Sequence, residues 1–317
     1  MTQARIVAFG EPLFELSRPP NGSIWLEGIG GDVSNAMVAA SRCGAATGIV
    51  TALGDDFFGR AIRAMWQSEG IDATHVRSDS SAPTGVYFIT HGAQGHEFSY
   101  ARAGSAASRV SAADLPRDYL GGASILHVSG ISQAISESAS EAVAAAMQLV
   151  RQRGGLVSYD TNLRLKLWPL PHARAIIHEA MRHTDIALPG LDDARLLTGL
   201  VDPDAIADFY LDLGAKIVAL TLGKDGCLIA TPRERRAIAS IKVDAVDATG
   251  AGDTFDGAFL AEYLATGDPF RAGHFANVAA ALSTQGFGAV GPMPRRADVL
   301  AALAGAPQTT AVMPPST

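Results

Sequence analysis

Short apolar runs ending in glycine or polar residues alternate with stretches of helical spacing along most of this chain. Arg5–Gly10, Thr47–Leu53, Ser124–Val128, Leu156–Tyr159 and Lys216–Leu222 are brief apolar runs and predict buried strands; Thr184–Asp193 predicts another strand and its turn. Between them, an Ala-rich segment through Arg42 stops at Gly44, and Glu137–Arg153 has the spacing of an amphipathic helix. Later, Phe255, Phe259 and Tyr263 recur every four residues with Leu260 and Leu264 beside them, and Gly267 closes that helix; Pro269–Thr284 predicts another. Strands alternating with helices make βαβ units and a mostly parallel sheet, the α/β class.

Two early stretches depart from this rhythm. Glu11–Ser17 and Ser23–Glu27 flank Pro19-Pro20-Asn21-Gly22, and Thr84–Thr90 and His96–Arg102 flank a turn marked by Gly92 and Gly95. Both predict hairpins, which together would form a small sheet over a site. Tyr100 and Arg102, two apart, share one face of such a strand.

Composition adds limits. The chain has 317 residues, 48% of them hydrophobic and 18% charged, enough for a sizeable core in one large α/β domain. A net charge of −7 argues against nucleic acid or an anionic membrane as a general partner, and leaves room for a local anion site. Two distant cysteines, Cys43 and Cys227, with no C-x-x-C, predict free thiols rather than a disulfide framework or a zinc site. No secretory leader and no apolar run of membrane-spanning length stands out, so a cytoplasmic location is expected. The polar, Pro-containing tail at 307–317 is expected to be disordered.

The chemistry concentrates in Asp247-Ala248-Thr249-Gly250-Ala251-Gly252-Asp253. Small residues opening a helix let free N–H groups and the positive end of the helix dipole converge on an anion. Asp253, in the first turn, would accept a proton from a hydroxyl while the Gly250, Ala251 and Gly252 amides stabilise a transferring phosphoryl group. Taken alone, the same residues also fit a glycine turn capped by Asp253. Gly30-Gly31-Asp32-Val33-Ser34-Asn35 before a helix suits ligand contact or simple capping. Asp160-Thr161-Asn162-Leu163-Arg164 follows a strand, where α/β proteins place ligands, and its Arg can fork onto a carboxylate or phosphate.

In their order these motifs resemble the ribokinase-like (PfkB) carbohydrate kinases, from about Ile6 to Pro294. The 247–259 stretch resembles the family's D-T-x-G-A-G-D signature, and the Gly30 segment its G-G-x-x-x-N. The Tyr100-x-Arg102 run with its Ser-Ala-Ala-Ser sequel, and Gly-Gly-Asp, resemble the 2-keto-3-deoxygluconate kinase branch; Asp160–Trp168 is shared with fructokinases. The resemblance implies a three-layer α/β/α ribokinase-like fold over residues 1–306, with lid hairpins at about 11–28 and 84–103. It implies ATP-dependent phosphorylation of a sugar or sugar acid, with magnesium and a potassium ion as candidate cofactors. Asp253 would be the base. Gly31, Asp32, Asn35, Tyr87, Tyr100, Arg102 and Arg164 would hold substrate; Asn162, Arg164, Thr221, Gly223, Gly226, Gly250, Gly252 and Asn277 would hold nucleotide. Gly190 and Asp193 stand where many members carry N-x-x-E, leaving Asp193 as the candidate for magnesium; Asp247 would face a monovalent cation. The lid edges suit pairing with a second copy. Fructokinase is the nearest alternative, and a non-enzymatic sugar or nucleotide sensor the alternative of another class.

Overall fold

The computed structural model describes residues 6–18, 22–92, 95–305 and 310–311. The chain opens with β1 (Ile6–Phe9), β2 (Leu13–Arg18), β3 (Leu26–Gly30), α1 (Asp32–Arg42), β4 (Thr47–Gly54), α2 (Phe57–Ser68) and β5 (Val76–Asp79). Next come β6 (Val86–Gly92), β7 (Gly95–Ala101), α3 (Arg117–Gly121), β8 (Ile125–Ser129), α4 (Gly130–Ala134), α5 (Glu137–Gln152), β9 (Leu156–Asp160) and α6 (Leu170–Met181). Then β10 (Ile186–Leu188), α7 (Leu191–Thr198), α8 (Pro203–Leu213), β11 (Ile217–Thr221), β12 (Cys227–Ala230) and β13 (Arg235–Ile238) follow. The last elements are α9 (Ala251–Thr266), α10 (Pro269–Ser283), α11 (Arg296–Gly305) and β14 (Thr310–Ala311).

Ten strands make the main sheet in the order β14-β13-β12-β11-β10-β9-β8-β1-β4-β5, parallel from β11 to β5 and antiparallel beyond β11. Its strands β1, β4, β8, β10 and β12 are buried on both faces, and β9 and β11 nearly so. Val7 and Phe9 pack with residues of α5, α6, α7 and α8, while Ile6 and Ala8 pack with those of α1, α2, α9 and α10. This is the three-layer arrangement expected of βαβ units.

The second sheet has the order β3-β2-β6-β7. Its hairpins, β2 with β3 and β6 with β7, join through a parallel β2–β6 pair. The second strand of the first hairpin lies three residues later than the sequence predicts: β3 runs Leu26–Gly30, pairing begins at Ser17–Leu26, and Ser23–Trp25 stay outside the strand. Pro19–Asn21 and the residues between Gly92 and Gly95 lie outside the described residues. Within the tail expected to be disordered, Thr310 and Ala311 pair with β13, and the remainder lies outside the described residues.

Local chemistry sets the helix ends. Asp56 accepts from the Gly59 N–H, Asp202 from Ala205, and Asp268 from Phe270 and Arg271, each before a first turn short of acceptors. Helix α9 is apolar nearly all round because it is buried nearly all round, with Phe255, Phe259 and Tyr263 stacked at centroid spacings of 6.0 and 6.2 Å. It crosses α1 at Gly257, where a Cβ would sit 2.0 Å from the Ala36 carbonyl oxygen. That close crossing brings the starts of both helices to the C-terminal ends of the parallel strands.

Candidate active site

At the start of α9, Gly250 adopts φ 75° as the N-cap residue, with no side chain capping the helix. A Cβ there would lie 2.9 Å from the Ala289 Cα, so both conformation and space require glycine. The Ala251 N–H goes to the Ala248 carbonyl and the Thr254 N–H to that of Gly250. The Gly252 and Asp253 amides of the first turn are left for a ligand. A Cβ on Gly252 would meet nothing within 4 Å, and Gly252 and Asp253 line a cavity of about 840 Å³.

Asp253 is held from α1. The Asn35 Nδ2 donates to its Oδ2 at 2.8 Å. Burial pushes the Asp253 carboxyl up to about 7, with the Asp32 charge adding to the rise and the Asn35 hydrogen bond and Arg164 opposing it. Asp32 accepts from Asn162 Nδ2 at 2.9 Å through one oxygen; its other oxygen, and Asn35 Oδ1, are buried without a hydrogen-bond partner. Asn162 is held at φ 28°, the one non-glycine residue with positive φ among those described, with its N–H on Asp160. Asp160 and Asp256, the latter one helical turn beyond Asp253, both line the cavity, and burial together with the charges of neighbouring carboxylates holds both carboxyls well above the usual carboxylate range.

The lid supplies the opposite wall. Arg102 follows β7, pairs with the buried Glu11, and lies 5.5 Å over the Tyr100 ring; its Nε is buried with no hydrogen-bond partner. Ser105 Oγ donates to Glu11 at 2.7 Å. Burial raises the Glu11 carboxyl while Arg102 and Ser105 pull it down. Tyr87 stacks on Tyr100 at 6.0 Å and donates its hydroxyl to Glu15.

Nearer the strand ends, Gly190, Asp193, Thr221, Ala248 and Thr249 line the same cavity. Asp193 accepts from the Leu163 N–H at 2.8 Å; burial raises its carboxyl, opposed by Leu163 and Arg164. The cavity thus gathers Gly31, Asp32, Asn35, Tyr87, Tyr100, Arg102, Asn162, Arg164, Asp193, Thr221, Gly250, Gly252 and Asp253. It does not gather Gly223, Gly226 or Asn277. Asn277 is buried and donates to the Ala239 carbonyl at 2.8 Å; at Gly226, φ is 105° and a Cβ would lie 2.0 Å from the Ile238 carbonyl, so each has a structural task. Asp247 accepts from Thr249 through one oxygen and from the Gly288 N–H through the other, tying two loops together. Asn162, expected at the nucleotide, lines the cavity and directs its amide to Asp32.

Glu11, Asp160, Asp256 and Lys166 also line the cavity without having been singled out from sequence. Asp160 opens the D-x-N-x-R run and Asp256 lies three residues past Asp253, so both had a positional signal. Glu11 had none: its partner Arg102 is 91 positions away. A separate groove of about 900 Å³ lies on the surfaces of α5 and α6, away from the strand ends. Among the described residues, no helix is long and apolar enough to cross a membrane, and no group of three or more His, Cys, Asp or Glu could hold a metal.

An anion-receptive helix start, a carboxyl poised near neutrality and a cavity under a lid with charged side chains in its wall define a phosphotransferase acting on an alcohol. The model of the pfkB family carbohydrate kinases matches residues 4–296, and the chain belongs to that family. It is 34% identical over 311 residues to a 2-dehydro-3-deoxygluconokinase of Thermoproteus tenax, covering 93% of each chain. It is 33% identical to fructokinase-1 of Zea mays, covering 93% of this chain and 96% of the relative. A PfkB protein of Polaromonas sp. JS666 superposes with a TM-score of 0.85 at 31% identity, covering 94% of this chain and 99% of that one. A putative ribokinase II of E. coli in complex with ATP and magnesium superposes at 0.88 and 25% identity, covering 96% and 100%.

Proposed function

We propose that this carbohydrate kinase transfers phosphate from ATP to the terminal hydroxyl of a sugar acid, 2-keto-3-deoxygluconate (2-dehydro-3-deoxygluconate), giving the 6-phosphate. One observation carries the substrate class: Arg102 lines the cavity with a buried Nε that has no hydrogen-bond partner, while Glu11 and Tyr100 hold its guanidinium. A carboxylate supplies a charged pair of acceptors in fork geometry; fructose offers a guanidinium only neutral hydroxyl and ring oxygens. Similarity to a 2-dehydro-3-deoxygluconokinase supports the same reading.

Asp253 accepts the proton of the attacking hydroxyl, and the Gly252 and Asp253 amides receive the transferring phosphoryl oxygens. The orphan oxygens of Asp32 and Asn35 accept from substrate hydroxyls, and Arg164 meets carboxylate or phosphate oxygens at the cavity mouth. The donor set fits magnesium bound together with nucleotide phosphates: Asp193 is a partly buried carboxylate lining the cavity, with its carboxyl raised by desolvation. When bound, the ion would offset phosphoryl charge, with Asp193 holding it directly or through water. A potassium ion would sit between the Asp247 and Gly288 loops, and a second copy would pair at the lid edges β3 or β7; comparing potassium with choline salts, and sedimentation, test these. ATP as donor accords with a cytoplasmic enzyme.

Fructokinase is the second reading, favoured by the plant relative at nearly equal identity. Coupled ADP release with magnesium-ATP against 2-keto-3-deoxygluconate, fructose and ribose decides between them. Turnover chiefly on the sugar acid is expected. Preference for fructose overturns the substrate and keeps the kinase; nucleotide binding with no turnover on any sugar favours a sensor.

A further inference from the structure

Glu15 is a carboxylate that the site described so far does not use. It sits on β2 at 5% exposure, with Tyr87 beside it in the parallel β2–β6 register and Gly28 opposite it in the β2–β3 register. Tyr87 donates its hydroxyl to Glu15. Beyond that hydrogen bond, the charge acting on Glu15 is another carboxylate, Asp247. Among the described residues no cation forms a salt bridge with Glu15; a buried carboxylate so placed is unfavourable, and an apolar side chain would fill the same place more stably.

The sheet is shaped around this pair. A Cβ on Gly30 would lie 2.4 Å from the Tyr87 hydroxyl, and a Cβ on Gly28 would lie 3.1 Å from Glu15 Oε1. Gly28 and Gly30 are two apart on β3, hence on one face, and together they make a slot for the carboxylate and the phenol. Below the hydroxyl, Leu13, Ile89 and Phe98 pack around Tyr87 and leave it little freedom. Tyr87 lines the cavity, whereas Glu15 lies behind it.

A phenol hydroxyl has one proton and two acceptor lone pairs. With the proton given to Glu15, only lone pairs remain for the cavity. We propose that Glu15 is a positioning residue that makes the Tyr87 hydroxyl an obligate acceptor, so that the cavity admits a donor hydroxyl there and rejects a carboxylate or keto oxygen. Together with Arg102, which takes a carboxylate, this orients an acid substrate: its acidic end is drawn to Arg102 and kept from the Tyr87 end of the cavity. The inference rests on the sugar-acid reading above.

The test compares Glu15→Leu, Glu15→Gln and Tyr87→Phe in steady-state kinetics with 2-keto-3-deoxygluconate. Glu15→Leu frees the Tyr87 proton and is expected to raise the sugar-acid KM about tenfold, the scale of one misdirected hydrogen bond, with kcat and the ATP KM within about twofold. Glu15→Gln keeps a carbonyl acceptor and stays within about threefold of the parent. In a Tyr87→Phe background, Glu15→Leu changes nothing further. Calorimetric titration with D-glucarate, which carries a carboxylate at both ends, reads the same polarity without catalysis. The parent binds it at least about tenfold more weakly than D-gluconate, and Glu15→Leu narrows the gap. Equal damage from Leu and Gln, additivity with Tyr87→Phe, or equal binding of the two acids by the parent overturns the inference while sugar-acid turnover stands. No turnover of any sugar acid by the parent overturns the reading beneath it instead. The parent titration needs no variant to fold.

Discussion

Asn35 on α1 and Asp253 on α9 are 218 positions apart, yet the Asn35 amide donates to the Asp253 carboxylate at 2.8 Å. The contact exists because Gly257 lets α9 press against α1 at Ala36. A donor on the ionised carboxylate opposes the rise that burial imposes, and the balance leaves Asp253 near 7. A base at that value is both ionised and basic enough at neutral pH.

Asp253→Asn is expected to lower kcat by ~10²–10⁴-fold with little change in either KM, the range for losing a general base. A variant that keeps most of its turnover in the coupled assay sinks the assignment.

The acidic limb of the rate follows from the same group. Its native carboxyl binds a proton below about 7, so kcat/KM is expected to fall about tenfold per pH unit beneath that point. A profile flat down to pH 5 contradicts it.

Stability should move the other way. The group ordinarily titrates near 3.8 and is raised in the native state, so the folded protein binds the proton more tightly than the unfolded chain. Stability from this group therefore falls as pH rises from about 4 to about 7, and the penalty above 7 is at most ~4 kcal/mol. Asp253→Asn should melt higher than the parent at pH 8 and equally at pH 4; scanning calorimetry at both values reads it, and an unchanged difference across pH rejects it.

Gly252 and Gly257 separate binding from folding. Gly252→Ala places a methyl in open cavity space and is neutral or stabilising, yet should weaken kcat/KM for ATP by at least about tenfold. Gly257→Val drives into the Ala36 carbonyl and should lose about 3 kcal/mol or more in urea unfolding.

Arg102→Lys keeps a charge beside Glu11 and loses the planar fork. The sugar-acid KM is expected to rise ~10–100-fold with kcat nearly unchanged. An unchanged KM removes Arg102 from carboxylate recognition.

Much of this was readable along the chain. The strand–helix alternation, both hairpins and the anion-receptive start of α9 depend on neighbours a few residues apart, and local spacing records such relations. Phe255, Phe259 and Tyr263 stack as their four-residue period requires. Where a task depended on a distant partner, spacing was silent. Thr221-x-Gly223-x-x-Gly226 reads as a nucleotide loop, and spacing did not show that Gly226 is also needed where its backbone turns against Ile238. Nor did it show that Asn277, expected near adenine, donates to the Ala239 carbonyl. Asn162 reaches Asp32 across 130 positions, and its φ of 28° follows from the site around it.

The α/β class, the family and the identity of the group at the head of α9 were legible in the chain, because they reside in periodicity and in contiguous motifs. The protonation and polarity of the site came from the fold. The rise of Asp253, the raised carboxyls of Asp160 and Asp256, the Glu11–Arg102 pair and the Glu15–Tyr87 bond arise from burial and from charges brought together by chain crossings. Electrostatic energies depend on distance and solvent exclusion in space, and neither is encoded by separation along the chain.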